Sequence, residues 1–183
     1  LSDARPNVRV EAAKALGTVP EPQFQEQLVQ LLYDDEPDVV RGAISTIRER
    51  AERAAFNPLY GPSLVALLQR RQLKHEARQA VVALGDPIIP TLVHFLNDPN
   101  EQAWVRRAIP KTLVRIPSKT VSRHLVEALP ADDDAFLRRK LLEALAGLPA
   151  ERRAAVPWEA VEADIHHESR RYFRHLALLC SLG

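Results

Sequence analysis

The feature of this chain that most constrains its fold is an apolar residue followed by arginine, which recurs along the whole length. The copies are Val8-Arg9, Val40-Arg41, Ala77-Arg78, Val105-Arg106 and Leu137-Arg138, with a degenerate sixth copy at Ser169-Arg170. Successive arginines are 32, 37, 28, 32 and 32 residues apart, and an apolar residue stands three positions after each one. A period near 32 residues with helix-like content is typical of stacked helical repeats that share one continuous core.

Acidic residues and prolines stand where the predicted helices begin. Asp34-Asp35-Glu36-Pro37 precedes one Val-Arg pair, and Asp132-Asp133-Asp134 precedes Leu137-Arg138. Carboxylates at a first turn offset the helix dipole and cap its free amides, and proline costs little there. Apolar residues then follow at spacings of three and four, the period of a helix with one buried face. The sequence therefore predicts an all-α fold, an α-solenoid of one leading helix and about five antiparallel helix pairs.

Three local features add detail to this prediction. Gly17 is expected to end the first helix in a left-handed conformation. Pro110 stands inside an otherwise helical run, where it removes a backbone hydrogen bond and is expected to kink or break the helix. The last repeat is the weakest, and its apolar residues predict one helix near 156–165 and a second near 172–179.

The composition bounds the kind of protein. Apolar residues make up 46% of the chain but aromatic residues only 5%, so the core is expected to be aliphatic. No methionine occurs, and we therefore expect the chain to be part of a longer protein. No apolar run reaches the roughly 18–20 residues of a membrane span. The single cysteine, Cys180, lies in an apolar stretch and predicts a buried, unreactive thiol, which suits a cytoplasmic protein.

These features resemble HEAT repeats over essentially the whole chain. The matching elements are the acidic cap with its proline, the Val-Arg pair, and the Ala-x-x-Ala-Leu-Gly pattern of residues 12–17. The resemblance implies helix pairs stacked into a curved right-handed superhelix with a concave inner surface, here as a single repeat domain over residues 1–183. It also implies that the repeated arginines form a ladder with aspartates of neighbouring repeats. The members of this ladder are Arg9, Arg41, Arg78, Arg106 and Arg138.

A narrower part of the chain is similar to HEAT segments attached to bacterial transporter-like membrane proteins. The residues that carry this similarity are His75-Glu76-Ala77-Arg78 and Trp104-Val105-Arg106-Arg107. The resemblance implies a regulatory module that acts within a larger chain, as the cytosolic part of a membrane-anchored protein.

The repeated arginines admit two interpretations. They could form a row of anion-binding groups along the inner surface, or each could pair with cap aspartates or carbonyl groups of the next repeat. Regular recurrence favours structural pairing, because a binding site rarely needs the same group in every repeat.

A second set of cations is the candidate for partner binding. Its members are Arg107, Lys111 and Arg115, four residues apart on one helix, and Arg139-Lys140 in the next repeat, with Arg48 and Arg53 on an earlier helix. Such a set could attract phosphates or an acidic partner, and solvated surface charge is the alternative interpretation. The formal charge of only +1 and the few aromatic residues argue against a nucleic-acid-binding protein.

The sequence offers little catalytic chemistry. It has no nucleophile elbow and no glycine-rich phosphate loop, so neither an enzyme nor a cofactor is expected. Some HEAT-like proteins are base-excision enzymes that act on alkylated DNA, and Trp104 beside Asp98 or Glu101 is the one loose candidate for such a site. Because Trp104 directly precedes a Val-Arg pair, it is predicted to pack at a junction between repeats.

The histidine pattern does not predict a metal site. The run His166-His167-Glu168 lacks the second histidine of the zinc motif His-Glu-x-x-His. Asp164 with Glu168 or His167 offers only a weak site for a cation, so no metal is expected.

The favoured hypothesis is a non-catalytic module for protein–protein interaction, a scaffold that presents a concave helical-repeat surface. Its partner would be another protein or an adjoining domain of the full-length chain. The alternatives are a nucleic-acid-binding or DNA-repair protein and the regulatory module of a transporter-like protein described above.

Overall fold

The computed structural model describes residues 3–19, 23–53, 57–129 and 134–181. Two compact units divide the chain, the first over residues 1–118 and the second over residues 119–183. Asp132 and Asp133 of the second predicted acidic cap lie outside the described residues.

The first unit consists of consecutive helices joined by short connections. They are α1 (Pro6–Thr18), α2 (Gln23–Leu31), α3 (Pro37–Glu52), α4 (Tyr60–Leu67), α5 (Lys74–Ala83), α6 (Ile89–Asn97) and α7 (Ala103–Leu113), with a 3-10 turn over Asp86–Ile88. After the leading helix α1, the pairs are α2 with α3, α4 with α5, and α6 with α7, and the second helices of successive pairs also contact one another. The described part of the chain has no strand, and the prediction of an all-α repeat fold is confirmed.

The second unit contains α8 (Val121–Glu127), α9 (Ala135–Ala146), α10 (Ala150–Arg153) and α11 (Trp158–Ser181), and α8 packs against α9. The predicted division of the last repeat is wrong. Its first helix is the single turn α10, and α11 runs without a break through both predicted segments. No glycine or proline occurs between Trp158 and Ser181, so no residue in this stretch ends the helix.

Burial follows the repeated motif in most copies. Of the apolar residues three positions after the arginines, Ile44, Val81, Ile109 and Leu141 are at most 2% exposed. In the degenerate sixth copy the equivalent Phe173 is 66% exposed. Cys180 is also exposed, so the predicted buried thiol is wrong. Both residues lie in the C-terminal half of α11.

Helix starts agree with the predicted prolines, and at one of them with a predicted carboxylate cap. Proline stands in the first turn of α1 and of α3, but Glu36 before α3 forms no side-chain cap. At the start of α9, Asp134 Oδ1 accepts hydrogen bonds from the backbone N–H of Phe136 at 2.9 Å and of Leu137 at 3.3 Å. Asp134 therefore caps α9, as predicted.

Gly17 has a different role from the predicted one. It lies inside α1, which continues to Thr18, and it does not have a positive φ. A Cβ atom added at Gly17 would lie 2.5 Å from Cγ2 of Thr46 on α3. Glycine is needed here because α1 and α3 approach closely, not because the chain turns.

We expect Gly17→Ala to lower the free energy of unfolding by about 1 kcal/mol. Overpacking costs about 1–3 kcal/mol, and the better helix propensity of alanine offsets about 0.5–1 kcal/mol of that. Thr46→Ser removes the methyl group in the way, so the double variant should recover most of the loss in urea denaturation. An equal loss in both backgrounds would place the strain elsewhere.

The proline in α7 does not break the helix. The helix continues from Ala103 to Leu113 with Pro110 in its last turn, and the side chain of Pro110 is buried. Pro110 has no N–H to donate to the carbonyl of Arg106, so one helical hydrogen bond is missing, and the helix ends three residues later.

Gly85 is the glycine with a positive φ, 68°, among the described residues. Its N–H donates to the carbonyl of Val82 at 3.1 Å, just beyond the end of α5 at Ala83. The 3-10 turn follows at once and leads directly into α6. Because α5 ends early, the step from Arg78 to Arg106 is shorter than the usual 32 residues.

Within the described residues, no single helix has the length and apolar composition of a membrane span. The pair Lys74–Ala83 and Asp86–Asn97, bent by 111°, meets those criteria by length and composition only. Both members bury apolar side chains inside the first unit, among them Val81, Leu92 and Leu96.

Candidate functional site

The first repeated arginine forms the best-defined ion pair of the chain. Arg9 on α1 donates from Nε to Asp34 Oδ2 at 2.7 Å and from Nη2 to Asp34 Oδ1 at 2.8 Å. Asp34 lies in the turn before α3, so this two-point contact joins neighbouring repeats. The side chains are only 14% and 12% exposed. The hydrogen bond from Arg9 lowers the pKa of Asp34, and the same bond raises the pKa of Arg9.

The next three arginines use different partners. Arg41 pairs with Asp38 on its own helix at 2.5 Å and with Glu76 on α5 at 3.5 Å. Arg78 is buried and donates from Nε to Thr112 Oγ1 on α7 at 3.0 Å. Arg106 is also buried, and its Nε donates to the carbonyl of Leu96 in the same repeat at 3.0 Å.

Arg138 in the second unit lies beside a cleft of ≈ 450 Å³. Its Nη1 is 2.7 Å from Asp164 Oδ1, and its Nη2 is 3.5 Å from Glu168 Oε1, both on α11. Asp164 is buried, and its Oδ2 has no hydrogen-bond partner within the described part of the chain. The rest of the cleft wall is formed by the apolar Val126, Ala160 and Ala163 and by His167 and Arg171.

The residues considered for a cation site are arranged for ion pairing. The guanidinium of Arg138 already contacts Asp164 and Glu168, the two carboxylates of that hypothesis. Over residues 3–19, 23–53, 57–129 and 134–181, no group of three or more His, Cys, Asp or Glu side chains could hold a metal ion.

Arg107 and Lys111 lie on one face of α7, whereas Arg115, predicted on the same helix, lies in the turn just after its end at Leu113. Arg107 is half-buried, whereas Lys111 and Arg115 are exposed and form no ion pair with any described residue. Arg115 lies close enough to the buried Arg78 to affect its ionisation. Burial, and secondly repulsion by Arg115, lower the pKa of Arg78. The face therefore carries positive charge that no described carboxylate neutralises at Lys111 and Arg115.

Trp104 extends the same face, and its predicted packing at a repeat junction is wrong. Its side chain is 70% exposed, and the guanidinium of Arg107 lies over the indole ring, 5.6 Å from its centroid. The cause is helix phase: successive residues are rotated by about 100°, so burial of Val105 and Arg106 turns Trp104 outward. Trp104, Arg107, Lys111 and Arg115 together form what we term the α7 face.

The carboxylates considered beside Trp104 for base excision serve local turns instead. Asp98 Oδ1 accepts from the backbone N–H of Asn100 at 2.9 Å, and Glu101 Oε1 accepts from that of Gln102 at 2.7 Å. An exposed tryptophan with carboxylates used in this way does not form the enclosed pocket that a flipped base needs.

The other predicted binding cations have carboxylate neighbours on their own helices. On α9, Arg139 lies 3.4 Å and Lys140 2.7 Å from Glu143. On α3, Arg48 lies 3.9 Å from Glu52, and Arg53 is exposed at the end of the helix. On α9 an exposed ring, Phe136, also precedes Arg139 and Lys140. The α7 face is distinguished by its tryptophan with Arg107 over the indole, and by Lys111 and Arg115, which form no ion pair with a described residue.

The early end of α5 explains why this face is uncovered. On α3, Arg48 donates from Nη1 to Gln79 Oε1 on α5 at 3.1 Å, and Gln79 is the residue after the repeated arginine of α5. By position in the repeat, Arg107 on α7 corresponds to Gln79 on α5, and Gly85 corresponds to Arg48 on α3. Gly85 lies beyond the end of α5, so this helix ends before the position from which the corresponding contact would come.

A structurally important cation, Arg50, was not among the sequence candidates. It is buried in the last turn of α3, and its Nη1 contacts the carbonyls of Leu16 at 3.2 Å and Val19 at 2.8 Å at the end of α1. These are carbonyl groups that a helix end leaves without an internal partner. The signal was the spacing Gly42, Thr46, Arg50, four residues apart along the side of α3 that faces α1.

The ion pair of Arg9 predicts how stability depends on acid. In the folded protein the pKa of Asp34 lies below 3.8, its ordinary value. The ion pair therefore contributes fully to the free energy of unfolding at pH values above 3.8. This contribution is lost as the pH falls through the pKa that Asp34 has in the folded protein. In acid-unfolding curves, Asp34→Asn should therefore be destabilised at neutral pH and show a smaller further loss on acidification. The exposed neighbour Asp35→Asn is the control, and an Asp34→Asn curve parallel to the wild type down to low pH would contradict the assignment.

Comparison with known proteins gives a family match. The family profile described as HEAT repeats matches residues 1–85 and 61–146. Two similar solved structures are engineered proteins, each 19% identical to this chain. The first has a TM-score of 0.48 over 91% of this chain, which spans 49% of that protein. The second has a TM-score of 0.47, with 96% of this chain and 85% of that one covered. No curated protein matches the sequence.

Proposed function

Because this chain belongs to the HEAT-repeat family, we propose that it is a non-catalytic scaffold that binds a partner protein through the α7 face. HEAT repeats commonly serve as such scaffolds, since rigid stacked helix pairs present an extended surface. In this proposal residues 1–183 act as one repeat domain, and the arginines Arg9, Arg41, Arg78, Arg106 and Arg138 hold neighbouring helices in register.

The observation that carries the proposal is the exposed indole of Trp104 near Lys111 and Arg115, which form no ion pair with a described residue. Tryptophan and arginine are the residues most enriched at the energetic centres of protein interfaces. Trp104, one of the two tryptophans of the chain, has 70% of its side chain exposed. An exposed aromatic ring beside Arg107 and Lys111 costs solubility, and a partner that covers it would gain from its apolar area.

Site-specific photocrosslinking tests the proposal. A photoreactive phenylalanine analogue at position 103, an exposed position next to Trp104, should capture a discrete protein in the source cell, identifiable by mass spectrometry. The same analogue at position 70 is the control, because Arg70 is exposed in the same unit but outside the α7 face. Equal labelling at both positions would contradict the proposed binding surface.

Substitutions on the α7 face give the corresponding functional prediction. We expect Trp104→Ala and Lys111→Glu each to reduce capture of that protein by at least about tenfold, as for central interface residues. Arg70→Glu carries the same charge change as Lys111→Glu and should leave capture unchanged. Both face positions are exposed, so unfolding curves should stay within about 0.5 kcal/mol of the wild type.

A further inference from the structure

We infer that the α7 face recognises a short acidic protein segment in which one aromatic side chain stacks on Trp104 while carboxylates pair with Lys111 and Arg115. This inference rests on the proposed function and adds the chemistry of the partner. It follows from the arrangement of Trp104, Arg107 and Lys111 on α7 with Arg115 in the turn after it.

Trp104 provides the contact for the aromatic side chain. The guanidinium of Arg107 lies on the ring at 5.6 Å from its centroid, and the side chain is nevertheless 70% exposed. The accessible part of the indole can therefore contact a second ring. Aromatic pairs are favoured beyond the area that they bury, by edge or offset-stacked contacts. One exposed ring can hold one aromatic side chain. Proteins that bind a single nucleic-acid strand instead present several aromatic rings on which successive bases stack.

Lys111 and Arg115 provide the contacts for acidic groups. Lys111 lies seven residues after Trp104 on α7, Arg115 lies in the turn that follows the helix, and neither forms an ion pair with a described residue. The charges on this face are thus complementary to carboxylates.

The dimensions of the face set the length of the segment. The helical part of the face, from Trp104 to Lys111, spans about 10 Å at 1.5 Å per residue. An extended chain covers that distance with about three residues at 3.3 Å each, and further residues are needed to reach Arg115 in the turn beyond. The ligand that fits is therefore a segment of five or six residues, aromatic at one end and acidic beyond it.

Tryptophan fluorescence provides a direct test with defined probes. In Trp158→Phe the emission reports Trp104 alone, because these are the two tryptophans of the chain. We expect a capped hexapeptide of one phenylalanine and five glutamates to change that emission saturably, more weakly as salt is added. The matched peptide with glutamine in place of glutamate, and the peptide of six glutamates, should each bind at least about tenfold more weakly. Lys111→Glu should weaken the first peptide similarly, and Arg70→Glu should not.

Several outcomes would overturn the inference. Equal binding of the glutamine peptide would exclude recognition of carboxylates, and tighter binding of a thymidine oligonucleotide would replace the acidic segment by nucleic acid. Absence of binding by every probe, with photocrosslinking at position 103 intact, would refute the partner chemistry but leave the proposed function standing. Loss of both would refute both. If the circular dichroism of Trp158→Phe shows a loss of helix, the emission of Trp104 can be obtained in another way. The emission spectrum of Trp104→Phe is then subtracted from that of the wild type.

Discussion

Replacement of Leu141 by alanine should lower the free energy of unfolding by about 2–5 kcal/mol, the range measured for large-to-small changes in a close-packed core. Leu141 lies on α9 with its side chain 0% exposed, in a copy of the repeated motif that is fully buried. Truncation removes apolar contacts and leaves a cavity that the neighbouring helices cannot fill without moving. Urea or guanidinium denaturation would measure the loss.

The control is two residues away on the same helix. Arg139 is exposed, and its nearest carboxylate is Glu143 at 3.4 Å on the same helix. Exposed pairs of this kind contribute little, so Arg139→Ala should change stability by less than about 0.5 kcal/mol. Similar losses for Leu141→Ala and Arg139→Ala would mean that the buried side of α9 is assigned wrongly.

The second large effect is expected at Arg50. Its guanidinium donates to carbonyl groups at the end of α1, and Arg50→Ala would leave those acceptors without their donor. Hydrogen bonds that involve a charged group contribute about 1.5–3 kcal/mol, so we expect a loss of about 2–3 kcal/mol in chemical denaturation. The loss should be accompanied by faster hydrogen exchange of the α1 amides, because this contact ties α1 to α3.

Two further variants separate this contact from general effects of charge. Arg53→Ala removes a cation from the exposed end of the same helix and should have little effect. Arg50→Lys keeps the charge but loses the planar group with several donors, so it should recover only part of the stability. Full recovery by lysine would show that charge alone matters at this position.

The repeat architecture could be predicted because its signals are local and recur. The acidic residues before α9, the prolines at the starts of α1 and α3, and the buried positions three residues after the arginines each follow from a few neighbouring residues. The last repeat was mispredicted as two helices because weak apolar periodicity suggested a break. The absence of any glycine or proline in α11 was the better guide.

The details of the candidate site depended on packing between repeats, which the sequence shows poorly. Gly17 suggested a helix end, but its role comes from the approach of Thr46 on another helix. Trp104 was expected at a junction because of its neighbour in sequence, whereas the phase of α7 turns it outward. Arg50 was overlooked because its partners are backbone carbonyls of residues more than thirty positions away, which leave no pattern in side-chain identity.

Gly85 has a consequence for how a repetitive molecule acquires an individual site. A perfectly periodic array offers the same surface at every step, so a ligand could not distinguish one repeat from the next. A single backbone conformation that only glycine adopts readily shifts the phase between two neighbouring repeats. The surface of this repeat therefore differs from the surfaces of its neighbours. Binding can evolve there without disturbing the contacts between the other repeats.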